Sequence, residues 1–102
     1  MTPEAKVKKK VKEILKLYGA YYAMPIGTGF GNAGVPDFLV CIAGRFVGIE
    51  CKAGKGKITA LQDKNLEQIK TAGGLSVVVN ENNLGDLEDL LDVIVDMSPN
   101  AR

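Results

Sequence analysis

The sequence predicts an α/β domain in which a small mixed β-sheet is flanked by helices, in the order αβββαβ plus a C-terminal helix. Three observations predict it. Apolar residues recur at helical spacing in stretches that open near residues 3, 59 and 84. Two alternating runs of β-formers meet at a tight turn in "DFLVCIAGRFVGIECK". A strand–helix–strand step near residues 45–79 needs a crossover, and so at least one parallel pair. With 102 residues the chain makes one domain, 1–102, in which residues 97–102 read as a frayed tail.

Thr2-Pro3-Glu4 opens the first helix with a capping hydroxyl, a proline in the first turn and an acid at the positive end of the dipole. Val7, Val11, Ile14, Leu15 and Tyr18 form its inner stripe, and Gly19 closes it. "AYYAMPI" reads as a short first strand ended by a glycine-rich loop. The hairpin follows, turning near Ala43-Gly44. In "TALQDKNLEQIKTAGG", Thr59 and Gln62 make a capping box, Leu66 and Ile69 an apolar face, and Gly73-Gly74 a stop. "LSVVV" reads as a fully buried strand. Leu84, Leu87, Leu90, Leu91 and Ile94 mark the closing helix.

The sequence has no histidine, which excludes a Ser-His-Asp triad, an imidazole base and a His-ligated zinc. Acid–base or metal chemistry therefore falls to carboxylates and lysines. The net charge of +1 hides an asymmetry: residues 1–57 hold ten Lys/Arg against four Asp/Glu, and residues 58–102 hold three against eight. A basic half points to a polyanion. The two cysteines, Cys41 and Cys51, lack metal-ligand spacing and read as reduced core thiols. With no secretory signal and no apolar run that could span a bilayer, the expectation is a cytoplasmic protein with no membrane partner.

"GTGFGNAGVPDF" contains G-x-G-x-x-G at Gly29, Gly31 and Gly34. A dinucleotide loop must open into a helix, whose N-terminus meets the pyrophosphate. Here "VPDFLVCI" follows, a strand start, so no dinucleotide is expected and the glycines serve a tight turn or a close approach.

The hairpin is more informative. A turn at Ala43-Gly44 places Asp37 opposite Glu50, whereas a turn at Gly44-Arg45 places it opposite Lys52. Glu50 and Lys52 share a face, so either register gathers all three groups on one side of the sheet. Val47, Ile49 and Cys51 then face the core. Gly48, beside Glu50 on the polar face, leaves space for a substrate. Two carboxylates with a backbone carbonyl suit Mg²⁺ or Mn²⁺, and a lysine beside them can orient a water or stabilise charge on phosphorus. The trio suits phosphodiester hydrolysis.

Pro36-Asp37 and Glu50-Cys51-Lys52, joined to the Thr59/Gln62 helix ending at Gly73-Gly74, resemble the PD-(D/E)xK signature and, more fully, the virus-type replication-repair nuclease (VRR-NUC) domain. The resemblance covers roughly residues 4–80. It implies a restriction-endonuclease-like core and a divalent-metal-dependent, structure-selective DNA endonuclease, of a kind that as a homodimer resolves four-way (Holliday) junctions. It implies Asp37, Glu50 and the Cys51 carbonyl as metal ligands, Lys52 as the catalytic lysine, and Gln62 as a motif residue near the site. Glu4 matches an acid that related nucleases aim at the metal from their first helix; it reads equally well as a dipole-stabilising first-turn acid. Gln62 has two readings as well, capping box or site, and the resemblance favours the site.

DNA phosphates would meet Lys55 and Lys57 in the loop after Lys52, Thr28 and Asn32 in the glycine-rich loop, and Lys8, Lys9, Lys12 and Lys16 on the first helix. The competing expectation is a non-catalytic DNA-binding module of the same fold; intact Asp37, Glu50 and Lys52 argue against it. The closing helix is the weakest candidate for a dimer face, since its leucines are also what a core needs.

Overall fold

The computed structural model describes residues 1–26 and 33–98. Helix α1 (Pro3–Leu17) begins where the Thr2 hydroxyl accepts the Ala5 N–H at 3.1 Å. It ends in a Schellman motif: Ala20 N–H reaches the Leu15 carbonyl, and Gly19 N–H reaches Lys16, with Gly19 in the left-handed region at φ 67°. Strands β1 (Tyr21–Ala23), β2 (Phe38–Ile42), β3 (Arg45–Cys51) and β4 (Leu75–Val79) form one sheet in the order β1-β2-β3-β4. The first two pairings are antiparallel and the third is parallel. Helix α2 (Ala60–Thr71) makes the crossover, and α3 (Leu84–Met97) closes the chain.

The sheet separates two layers of helix. Val7, Val11 and Leu15 of α1 pack with Phe38, Val40, Ile42, Val47, Ile49, Cys51 and Val79 on one face, joined by Leu87, Leu91 and Ile94 of α3. Tyr18 latches the two helices by donating to Asp92 Oδ1 at 2.7 Å, which pushes its pKa up to about 12. The apolar stripe of α3 is therefore used in folding the chain, and Val93 and Met97 are its exposed large apolar residues. On the opposite face α2 seats Leu66 and Ile69, and Ser76 Oγ donates to the Leu66 carbonyl at 3.2 Å.

Three expectations are corrected. Strand β4 is only partly buried, with Val79 alone fully so, because it lies at the sheet edge with one flank open. Cys41 is exposed, because it points to the sheet face away from the main core, at the end that α2 does not cover; Cys51 is buried as expected. The space above Gly48 is filled: a Cβ there would lie 2.6 Å from Ile69 Cδ1 and 3.3 Å from Pro36 Cγ. Gly48 therefore admits the crossover helix rather than a substrate. The open groove on this face, about 490 Å³, is lined by Val35, Leu39, Phe46 and Ile69 and contains none of the acidic residues.

Gly34 shows what its part of the glycine-rich segment is for. It stands at φ 82°, and a Cβ would lie 2.6 Å from the Leu61 carbonyl carbon and 2.8 Å from Gln62 N. Asn65 Nδ2 donates to the Ala33 carbonyl at 2.8 Å, holding the same segment on α2. Backbone thus lies on backbone, and no side chain fits between. Gly34→Ala is expected to destabilise the domain by about 2 kcal/mol or more, read as a fall in Tm; an unchanged Tm would refute this packing. Gly29, Gly31, Thr28 and Asn32 lie outside the described residues.

Candidate functional site

The register decides which groups meet. Ala43 and Gly44 both adopt positive φ, 49° and 79°, as a two-residue hairpin turn requires. Phe38 then pairs with Ile49, so one step further Asp37 stands opposite Glu50 and Pro36 opposite Cys51. Residues 45, 47 and 49 turn their backbone groups toward β2, and Cys51 is next in that series. Its N–H is taken by Asp37 Oδ2 at 2.8 Å. Proline at 36 has no N–H to return to the Cys51 carbonyl. The "PD" pair thus ends the ladder: the aspartate turns inward, and the carbonyl opposite the proline is left without a ladder donor.

Glu50 is the unusual group. It is 3% exposed, and its Oε1 is buried with no hydrogen-bond partner among the described residues. Its other oxygen lies 3.8 Å from Lys52 Nζ. Burial pushes its pKa up to about 7; the neighbouring Asp37 carboxylate adds to the rise, and Lys52 opposes it. One oxygen of this carboxylate is therefore desolvated with no hydrogen bond to compensate, while the other keeps a long contact with Lys52.

A second ammonium enters from α1. Lys8 Nζ lies 3.4 Å from Asp37 Oδ1 and 3.6 Å from Glu4 Oε2. Burial works against its charge, but Asp37 and then Glu4 outweigh it and raise its pKa. Three carboxylates, Glu4, Asp37 and Glu50, thus surround two ammonium groups, Lys8 and Lys52, leaving the cluster one positive charge short. Cys51 Sγ faces the other way, into the core, where burial pushes its pKa up to about 12. Only its backbone belongs to the site.

Gln62 is engaged elsewhere. Its side-chain Oε1 accepts from the Thr59 backbone N–H at 2.9 Å and its backbone N–H donates to Thr59 Oγ1 at 3.1 Å, which is the capping-box geometry. Lys55 and Lys57 are exposed in the loop after β3, and Lys9 and Lys16 are exposed on α1, with Lys12 half-buried. Lys8 turns to the acidic cluster rather than outward.

Two further residues shape the surroundings. The loop carrying Lys55 is tied down by Glu81, whose Oε1 accepts the Gly54 N–H at 2.7 Å; no sequence signal marks that pairing across 27 positions. For Lys8 a signal existed, its place four residues after Glu4 on the inward-leaning side of α1.

The donor set fits a small divalent cation. Asp37, Glu50 and the Cys51 carbonyl offer hard oxygens, and the unpartnered buried Oε1 is the atom a cation would satisfy. Among the described residues no three acidic or thiol side chains converge into a full ligand set. Water would complete the coordination, as Mg²⁺ commonly requires.

No protein-family model and no curated protein matches this chain. A solved structure described as a VRR_NUC domain is similar to it, with a TM-score of 0.67 and 23% identity, over 95% of this chain and 98% of the other. At that identity it is a likeness of architecture. This chain has the restriction-endonuclease-like fold of a VRR_NUC domain.

Proposed function

We propose that the protein is a structure-selective DNA endonuclease that hydrolyses phosphodiester bonds with Mg²⁺ or Mn²⁺. The observation that carries the reading is the buried, unpartnered Glu50 oxygen beside Asp37 and Lys52. A fold needing only a salt bridge there would not leave a carboxylate oxygen buried without a partner, because the desolvation goes uncompensated. The VRR_NUC fold supports the same reading.

In this reading Asp37 and Glu50, with the Cys51 carbonyl, hold the divalent cation. When bound, the cation polarises a phosphate oxygen and lowers the pKa of a water. Lys52 is held at the site by Glu50, so its ammonium is placed to orient the attacking water and to stabilise negative charge growing on the phosphoryl oxygens. Asp37 is oriented by the Cys51 N–H, which fixes one oxygen and leaves the other to Lys8 or to a cation. Glu4 adds negative potential from α1. Gln62 acts indirectly, by capping the helix against which the segment before Asp37 packs.

Lys55 and Lys57, with Lys9, Lys12 and Lys16, supply phosphate contacts; nothing in their placement reads bases, so the preference is for DNA structure. Junction DNA, cut by a homodimer with one site per strand, is the substrate this reading favours.

The test is cleavage of labelled four-way junction, flap and duplex DNA with Mg²⁺ or Mn²⁺. Wild type is expected to cut the branched substrates, and Lys52→Ala to be slower by about 10²–10³. Salt-sensitive binding without cutting in wild type would instead identify a DNA-binding module.

A further inference from the structure

Lys8 occupies a position that the fold does not require of it. It extends from α1 into a cluster of carboxylates, where its ammonium spans Glu4 and Asp37 at 3.6 and 3.4 Å while its side chain is only about one-third exposed. The partner it takes on the sheet, Asp37 Oδ1, is the oxygen left over after Oδ2 has been committed to the Cys51 N–H. Lys52 meets Glu50 through Oε2 at 3.8 Å, and the buried Glu50 Oε1 remains unsatisfied.

The geometry points to Lys8 as a resident counter-ion of the site, which competes with the divalent cation for Asp37 and must release that carboxylate when the cation enters. This rests on the reading that Asp37 and Glu50 hold a cation. Two positive groups cannot share one carboxylate oxygen without repulsion, and at such distances repulsion between a divalent ion and an ammonium is large even where solvent screens it. Lys8 thus weakens cation binding while keeping the empty site from concentrating negative charge. Once released, it turns to the same basic surface as Lys9, Lys12 and Lys16, where a phosphate can take it. Cation and DNA are then coupled: a polyanion that draws Lys8 away tightens cation binding, and a cation that displaces Lys8 tightens DNA binding by the same factor.

The test is calorimetric titration of MnCl₂ into the protein without DNA. Lys8→Met keeps the length of the side chain and a good helix former, and is expected to bind Mn²⁺ about tenfold more tightly than wild type. Lys8→Gln, equally neutral, should behave alike, whereas Lys8→Arg, which keeps the charge, should bind as weakly as wild type. Amine-labelling of Lys8 in wild type should quicken when Mn²⁺ is added. Equal or weaker Mn²⁺ binding by both neutral variants, with wild type still binding, would overturn the role of Lys8 and leave the cation site standing. No binding by any form would overturn both.

Discussion

Glu50→Gln is expected to give a protein that is more stable than wild type at neutral pH and far slower to cut DNA. The wild-type carboxyl has its pKa raised to about 7 by burial, with Asp37 adding to the rise. Between its ordinary value near 4.5 and that point the folded protein holds a proton that the unfolded chain has lost. Stability must then fall as pH rises through the window, by up to about 3 kcal/mol, and the full cost is present above it. Glutamine has the same shape and no charge to desolvate, so its variant escapes this loss and surrenders only the contact with Lys52.

In a chelator, Tm of the variant should exceed that of wild type at pH 8 by several degrees, at about 4–8 °C per kcal/mol. The gap should close toward pH 5, where the wild-type carboxyl is protonated. Adding Mg²⁺ should raise the Tm of wild type and not that of the variant, since a ligand bound by the native state alone stabilises it by mass action. Cleavage should drop by about 10²–10³ or more. A variant less stable than wild type at pH 8 would mean that the Lys52–Glu50 contact outweighs desolvation, and the site would be a structural ion pair.

Leu91→Ala should cost about 2–5 kcal/mol, a large part of the roughly 5–15 kcal/mol that holds a domain of this size together. Leu91 of α3 is fully buried, in the core that joins α3 to α1 and the sheet and that also holds Leu87 and Ile94. Removing its branched end leaves a cavity that helices latched by Tyr18 and Asp92 cannot easily close. The expected observation is a Tm lowered by about 10 °C or more, with the oligomeric state by sedimentation unchanged. Loss of an oligomer with little change in the unfolding of the monomer would assign α3 to an interface instead. The result separates the two uses of a leucine stripe that sequence periodicity leaves open.

The elements and their chain order were legible because each rests on local chemistry. Thr2-Pro3 and Thr59/Gln62 start helices, Gly19 and Gly73 stop them, and Ala43-Gly44 turns the hairpin, whatever lies beyond a few residues on either side. Period-two alternation likewise put Asp37, Glu50 and Lys52 on one side for either two-residue turn; a three-residue turn would have broken the coincidence, and the structure has the two-residue turn at Ala43-Gly44. The charge imbalance and the lack of histidine narrowed the chemistry by subtraction.

What the sequence could not decide involves partners far apart along the chain. Gly48 reads as open space until Ile69 of the crossover helix is seen against it, and "LSVVV" reads as buried until its edge position is known. Gln62 has two chemically sound uses, and its Oε1 takes the local one, with Thr59 three residues away. Lys8 reads as a phosphate contact on the basic face of the first helix, and its spacing from Glu4 hints at that pair alone; nothing local shows that Asp37, 29 residues away, will lie 3.4 Å from it. By itself, then, the sequence determined the helix ends, the hairpin and the three groups sharing a sheet face, because these follow from short-range backbone and side-chain preferences. The tertiary structure alone decided which carboxylate is desolvated, which oxygen is left unpartnered and which lysine reaches Asp37, because burial and charge act through space between elements the chain brings together only on folding.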